Sequence, residues 1–280
     1  MSQDEKCSGC SQNTGDCTPD KCGNDKLPQN EYTNIKHVVA VMSGKGGVGK
    51  SSIAALVAVN LARQGYKVGI LDADITGPSI PKMFGVSGTP EQGDNIMYAK
   101  ETSKGIKIMS LNLLLENEDS PVIWRGPVIA GAVKQFWTDV AWGDIDYLVV
   151  DLPPGTGDVP LTVLQSLPLD GVIIVTSPQD LANMVVRKAI NMVRYMNIPV
   201  LGFVENMSYL ICPDCGKEIQ VFGKSHSDSL VNSMGLRRLE ELPIDPTLSE
   251  LSDLGQIENY DRELFKGLDE IINSQVTSVS

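Results

Sequence analysis

HVVAVMSGKGGVGKSSIAALVAVNLARQG, residues 37–65, is the stretch that decides the fold. Its first part, HVVAVMS at residues 37–43, is apolar and rich in β-branched side chains, which predicts a strand. Its last part, SSIAALVAVNLARQG at residues 51–65, predicts a helix that ends at Gly65. A glycine loop joins the two, and strand, loop and helix in this order predict a βαβ unit with a parallel sheet.

Further apolar strands follow, with helical patterns between them. Continuous apolar runs that alternate with helices indicate a parallel sheet buried on both faces. The sequence therefore predicts an α/β fold with a doubly wound, mostly parallel sheet. We also expect a small hairpin, with its turn at Gly105, within residues 95–111. The predicted strands lie at residues 67–74, 147–151, 171–176 and 199–205, and the most prominent helix at residues 179–195.

The loop GKGGVGKS at residues 44–51 fits the phosphate-binding pattern G-x-x-x-x-G-K-S. Glycines let backbone N–H groups converge on phosphate oxygens, Lys50 adds a positive charge, and the Ser51 hydroxyl is a ligand for Mg²⁺. We therefore expect ATP and Mg²⁺ to bind here, in contact with Gly44, Gly46, Gly47, Val48, Gly49, Lys50, Ser51 and Ser52.

Two alternatives for this loop are an empty glycine turn and a dinucleotide site of the G-x-G-x-x-G type. Asp72 and Asp74 lie near the distance at which a dinucleotide site places its ribose-binding acid. Lys50 and Ser51, however, have no use in such a site. The motif DLPPGTGD at residues 151–158 has no role there either, whereas Asp151 at a strand end beside a phosphate loop is placed to hold Mg²⁺. A plain turn capped by Asp158 is the structural alternative for that motif.

Six cysteines form two groups, one at Cys7, Cys10, Cys17 and Cys22 and one at Cys212 and Cys215. In a reducing compartment such groups indicate metal or redox sites before disulfides. Residues 1–35 carry few large apolar side chains, so we predict a cysteine-rich N-terminal appendage ordered by metal, with a linker near residues 27–34, followed by an ATPase domain at residues 36–280. An iron–sulfur cluster, zinc and an unmetallated tail remain open for the first group. A cluster, zinc and a redox pair remain open for the second.

The net charge of -12 argues against a strong nucleic-acid binder. The sequence shows no apolar stretch long enough to cross a membrane and no signal-peptide pattern at its start. We therefore expect a cytoplasmic protein that binds neither nucleic acid nor membrane.

Lys45 gives the loop the form KGGVGKS, which resembles the deviant Walker A motif of the MinD, ParA and nitrogenase iron protein family, a SIMIBI-type group of P-loop NTPases. Within that family the chain most resembles the Mrp/ApbC iron–sulfur cluster carriers. The matching stretches are LDADITGPSIPKMFG at residues 71–85, VIWRGP at 122–127, QFWTDVAWGDIDYLVVDLPPGTGD at 135–158, VENMSYLICPDCG at 204–216 and LPIDP at 242–246.

The resemblance implies a role for each matching residue. Lys45 would reach the partner's phosphates in a homodimer, Asp74 would position the attacking water, Asp72 and Asp151 would lie near Mg²⁺, and Asn206 would lie near the adenine edge. Lys45, Lys50 and Asp74 would thus carry a slow ATP hydrolysis.

The resemblance also implies that Cys212 and Cys215 of two chains hold one 4Fe-4S cluster, which is passed to apo iron–sulfur proteins. Some relatives carry an N-terminal cluster as well, and the four N-terminal cysteines supply enough thiolates for one. Two other functions remain open. A MinD- or ParA-like positioning ATPase would favour a basic amphipathic C-terminal helix, unlike LFKGLDEIINSQVTSVS. An electron donor like the iron protein would place its cysteines elsewhere in the chain.

Overall fold

The computed structural model describes residues 26–74, 79–114, 126–179, 184–223, 225 and 227–277. The four N-terminal cysteines lie outside these residues. The strands are β1 (Thr33–Ser43), β2 (Val68–Asp72), β3 (Gln92–Gly93), β4 (Ile96–Tyr98), β5 (Lys100–Glu101), β6 (Lys107–Ser110), β7 (Val140–Ala141), β8 (Gly143–Asp151), β9 (Gly171–Thr176), β10 (Val200–Glu205), β11 (Leu210–Ile211), β12 (Glu218–Ile219) and β13 (Arg238–Glu241). The helices are α1 (Lys50–Arg63), α2 (Ile80–Met83), α3 (Gly126–Thr138), α4 (Asp158–Ser166), α5 (Met184–Tyr195), α6 (Ser227–Met234), α7 (Pro246–Asp253) and α8 (Leu268–Thr277).

An eight-stranded sheet forms the centre of the fold, in the order β13-β10-β9-β1-β8-β2-β6-β5. Every neighbouring pair is parallel except β5 with β6 at one edge. That antiparallel pair is the predicted hairpin, since Gly105 has a φ of 86° and Thr102 N–H donates to the Ile106 carbonyl at 2.9 Å. The doubly wound, mostly parallel sheet is therefore confirmed. Two small sheets, β3-β4-β7 and β11-β12, lie outside it.

Helices cover both faces of this sheet, which explains why the strands are apolar without alternation. Along β1, Val38, Ala40 and Met42 pack on one side with side chains from α3, α4 and α5. Val39 and Val41 pack on the other side with side chains from α1 and α8. A strand buried on both faces has no polar face to present, so its sequence reads as a continuous apolar run.

The segment before β1 is attached to the domain. Leu27 N–H donates to the Ser166 carbonyl at 2.9 Å, Trp137 Nε1 donates to the Leu27 carbonyl at 2.9 Å, and Lys26 Nζ reaches the Leu164 carbonyl at 2.8 Å. Leu27 thus accepts from an indole N–H that needs a partner when buried. The linker expected at residues 27–34 and the domain boundary expected at residue 36 stay predictions. The first strand of the sheet starts at Thr33. Within the described residues, no helix is long and apolar enough to cross a bilayer.

Candidate nucleotide site and cysteine hairpin

The phosphate loop connects the end of β1 to the start of α1. Gly47 and Gly49 have φ angles of 81° and 79°, in the left-handed region that favours glycine. Gly49 caps α1 without a side-chain hydrogen bond, so the first N–H groups of the helix face the loop. The loop borders a cavity of about 350 Å³ lined by Ser43, Lys45, Gly46, Gly47, Gly49, Lys50, Ser51, Ser52, Asp74, Ser79, Met83 and Pro154. Backbone donors at a helix start, arranged around a cavity, are suited to phosphate.

Lys50 lies buried between two carboxylates. Its Nζ is 2.5 Å from Asp151 Oδ1 and 3.3 Å from Asp74 Oδ2, and it is only 5% exposed. The sheet register creates this group, because Asp72 pairs with Asp151 across β2 and β8 at the carboxyl edge. The structure thus brings together Lys50, Asp72, Asp74 and Asp151, which belong to three motifs far apart in the chain.

Asp72 is held by the protein on both carboxylate oxygens. Ser110 Oγ donates to Oδ2 and the Asp74 N–H donates to Oδ1, each at 3.0 Å. Burial, followed by the nearby charge of Asp151, raises the pKa of Asp72 well above its ordinary value. Ser110, at the end of β6, was not singled out from the sequence. The only signal was its position at the end of a strand neighbouring β2.

Asp151 is fully buried, and burial raises its pKa while the Lys50 ammonium opposes that shift. Its Oδ2 accepts no hydrogen bond from any residue that the structure describes. An unpaired buried carboxylate oxygen, in a group with more carboxylates than cations, suits an additional cation.

The remaining residues of the loop differ in exposure. Lys45 is exposed at the rim of the cavity, and its carbonyl accepts from Ser43 Oγ at 2.9 Å. Gly44 packs closely on α5, because a Cβ built on it would lie 3.1 Å from the Val185 carbonyl carbon. Val48 is buried and Ser52 half-buried.

Asn206 follows β10 and is buried against the phosphate loop. Its Nδ2 donates to the Val48 carbonyl at 3.0 Å, and its backbone N–H donates to the Thr176 carbonyl at 2.8 Å. A Cβ built on Gly49 would overlap Nδ2. The sequence did not indicate this contact with the loop. The expected position beside adenine stays a prediction.

We call the segment Leu210–Ile219, which contains β11 and β12, the cysteine hairpin. Cys212 N–H donates to the Lys217 carbonyl and Gly216 N–H to the Cys212 carbonyl, both at 2.9 Å, and Gly216 has a φ of 69°. The backbone N–H groups of Cys215 and then of Asp214 lower the pKa of the Cys212 thiol. Cys212 is half-buried and Cys215 exposed, so the turn presents a thiol of lowered pKa beside a second thiol.

Comparison with known proteins gives consistent relatives. The family described as ParA: NUBPL iron-transfer P-loop NTPase matches residues 34–276. An iron-sulfur cluster carrier protein of Clostridium perfringens is 43% identical over 280 residues, covering 94% of this chain and 96% of the relative. One of Methanocaldococcus jannaschii is 45% identical over 258 residues, covering 90% and 88%.

Among solved structures, the nucleotide-binding protein of Archaeoglobus fulgidus in complex with ADP is 46% identical, with a TM-score of 0.75, over 83% of this chain and 91% of that chain. The MinC:MinD cell division complex of Aquifex aeolicus matches with a TM-score of 0.57 at 18% identity, over 87% and 95%. The second likeness shows the fold alone. The family match and the carrier relatives cover nearly all of the chain, and the chain therefore belongs to the NUBPL iron-transfer family of P-loop NTPases.

Proposed function

We propose that this protein is an ATP-hydrolysing carrier that binds an iron–sulfur cluster at Cys212 and Cys215 and delivers it to apo iron–sulfur proteins in the cytoplasm. One observation carries the proposal: a single domain combines a phosphate loop around a buried lysine with an exposed hairpin whose first thiol has a lowered pKa. The first feature suits ATP and the second suits a thiophilic cargo. Relatives named as carriers, at 42–48% identity, support this function over a MinD-like positioning role, because the MinD structures match at only 17–20% identity.

ATP would lie with its phosphates in the loop at residues 44–52. Within the described residues, no three His, Cys, Asp or Glu side chains are grouped to hold a metal ion by themselves. Mg²⁺ therefore fits here only together with phosphate oxygens and water, next to Ser51 and the unpaired oxygen of Asp151. When bound, Mg²⁺ would neutralise charge on the phosphates. Asp72 would support this group from behind, since Ser110 and the Asp74 backbone already occupy its oxygens.

Hydrolysis would depend on three side chains at the cavity. Lys50 would move from its carboxylate partners toward the terminal phosphates and balance their charge. Asp74, which borders the cavity and has its backbone fixed by Asp72, would orient the attacking water. Lys45 at the rim would reach the phosphates of a second chain, so that hydrolysis requires a homodimer.

The cluster is the cargo, and one hairpin offers it too few ligands. A 4Fe-4S cluster takes four thiolates, whereas the hairpin has Cys212 and Cys215. Two chains related by a twofold axis supply the missing pair. Cys7, Cys10, Cys17 and Cys22, which lie outside the described residues, would hold a second cluster within the proposed segment at residues 1–35.

Anaerobic reconstitution tests this function. The full-length protein is loaded with iron and sulfide, and iron, sulfide, zinc and visible absorption are measured, followed by transfer to an apo-enzyme that regains activity on receiving a four-iron cluster. Cys212→Ser with Cys215→Ser should abolish transfer and lower the iron content by two atoms per chain. The matched control, which replaces the four N-terminal cysteines by serine, should keep the bridging cluster. A colourless dimer that retains zinc at the hairpin under iron-replete conditions would contradict the carrier function.

A further inference from the structure

Two consecutive buried side chains at the end of β10 contact two different functional parts of the molecule. Asn206 contacts the phosphate loop, and Glu205 contacts Ser225, which follows the cysteine hairpin in the chain. Neither contact is explained by ATP binding or by thiol chemistry alone. Together they place one short stretch of backbone between the two sites.

The Asn206 side chain packs tightly against the phosphate loop. Asn206 is 5% exposed, its Nδ2 donates to the Val48 carbonyl at 3.0 Å, and the same nitrogen occupies the space where a Cβ on Gly49 would lie. Any movement of Val48 or Gly49 therefore acts directly on the Asn206 side chain. The backbone N–H of Asn206 donates to the Thr176 carbonyl at 2.8 Å, at the end of β9. Glu205 is joined to Asn206 by one peptide bond, so a shift of Asn206 also acts on Glu205.

The second contact joins Ser225, six residues after the hairpin, to the end of the strand that precedes the hairpin, and we call this junction the base of the hairpin. Glu205 is fully buried, Ser225 Oγ donates to its Oε2 at 2.7 Å, and Arg238 Nη1 lies 3.9 Å from that oxygen. The chain leaves at Asn206, turns through Cys212 and Cys215, and returns to Glu205 at Ser225. A hydroxyl that donates to a buried carboxylate is held firmly, because hydrogen bonds to such groups are among the stronger ones in proteins.

We propose that Asn206 and Glu205 are positioning residues that couple nucleotide in the phosphate loop to the placement of the two hairpin thiols. When nucleotide moves the phosphate loop, Asn206 moves with Val48. Glu205 passes this movement through Ser225 to the base of the hairpin. This inference rests on the proposed function, and it names the connection through which ATP would control how the thiols hold or release their cargo.

Site-resolved alkylation tests the coupling in the full-length, cluster-free protein. Cys212 and Cys215 are alkylated with iodoacetamide under anaerobic, reducing conditions with and without saturating ATP and Mg²⁺, and peptide mass spectrometry gives each rate separately from those of the N-terminal cysteines. For the wild type we expect the nucleotide to change the rate of at least one hairpin thiol by about threefold or more, which corresponds to about 0.65 kcal/mol. Equal rates with and without nucleotide would overturn the proposal.

Four variants separate coupling from folding and from ATP binding. Ser225→Ala removes the contact at the hairpin base, far from the phosphates, and should reduce the nucleotide effect to less than 1.5-fold while ATP binding stays as in the wild type. Ser225→Thr keeps the hydroxyl and should restore the effect. Asn206→Ala, assayed at ATP concentrations shown by calorimetry to saturate it, should also lose the effect. Asn30→Ala is the matched control, because the Asn30 amide likewise donates to backbone carbonyls, at 2.9 and 2.8 Å. Asn30 precedes β1, however, and so lies at the opposite ends of the strands from Asn206.

The outcomes distinguish this coupling from the carrier function. A nucleotide effect that survives Ser225→Ala, or one that Asn30→Ala also removes, overturns the assigned route. Cluster loading and transfer are measured on the same preparations. A protein that transfers cluster yet shows equal alkylation rates retains the carrier function and loses the coupling. A protein that holds no cluster yet shows nucleotide-dependent alkylation retains the coupling and loses the carrier function.

Discussion

Gly49→Ala is a substitution whose cost follows directly from the geometry. Gly49 has φ 79° and ψ 26°, and a residue with a side chain in this left-handed conformation costs about 1–2 kcal/mol. The new Cβ also overlaps Asn206 Nδ2. Turning the Asn206 amide away leaves a buried donor and the Val48 carbonyl unpaired, which costs about 1–3 kcal/mol. We expect the free energy of unfolding to fall by about 2–5 kcal/mol in total.

Urea unfolding of the nucleotide-free protein measures this cost, and Gly65→Ala is the matched control. Gly65 has a φ of 92°, and nothing lies within 4 Å of a Cβ built on it. It therefore suffers the backbone cost alone, about 1–2 kcal/mol. The difference between the two variants isolates the Asn206 contact at about 1–3 kcal/mol.

A double variant decides whether the reasoning is correct. In an Asn206→Ala background the Cβ of Gly49→Ala no longer meets an amide, so its cost should fall to that of Gly65→Ala. If the free energies of unfolding of Gly49→Ala and Gly65→Ala differ by less than about 0.5 kcal/mol in the wild-type background, the overlap with Asn206 does not contribute to stability. If the excess persists without the Asn206 amide, its cause lies elsewhere.

Three further predictions concern the site. Lys50→Ala should abolish ATP binding and lower the free energy of unfolding of the nucleotide-free protein by about 3–5 kcal/mol, since it leaves the buried Asp151 without its cation. Lys45→Ala should keep ATP binding and lose turnover. Calorimetry, urea unfolding and phosphate release measure these effects, and wild-type turnover in Lys45→Ala would refute the role of Lys45. Because the pKa of Asp72 is raised, its protonated form stabilises the nucleotide-free fold, and the free energy of unfolding should decrease as the pH rises above about 3.9. Asp72→Asn should remove this decrease, which amounts to about 1.4 kcal/mol for each pH unit by which the pKa is raised. An unchanged pH profile in Asp72→Asn would contradict this prediction. Alkylation of Cys212 should show a midpoint below the ordinary thiol value of about 8.5, and a midpoint at or above that value would contradict the hydrogen bonds to its sulfur.

The sequence predicts those parts of the site that local pattern determines. The run at residues 37–65 fixes strand, loop and helix, and acids that follow apolar strands at Asp72 and Asp151 meet because parallel strands share a carboxyl edge. Sequence also predicts the hairpin around Gly105, since glycine marks its turn.

The tertiary contacts were not predictable in the same way. The position of Asn206 against Val48, and of Glu205 against Ser225, depends on how β10 packs beside β9 and on where a later loop returns. No local pattern encodes either distance. The attachment of Leu27 to Trp137 was missed for a related reason: the segment lacks a hydrophobic periodicity, and its order comes from single hydrogen bonds to distant residues.

The attachment of Lys26 and Leu27 sets a limit on how far Cys22 can lie from the domain. Leu27 is bound at the end of α4, at the edge where β1 begins, whereas the phosphate loop and the cysteine hairpin follow the other ends of the strands. From Thr33 to Ser43, β1 spans about 33 Å. Cys22 precedes Lys26 by four residues, a contour length of about 14 Å at most. We therefore expect a cluster that uses Cys22 as a ligand to lie on the side of the domain where the strands begin, opposite the cysteine hairpin.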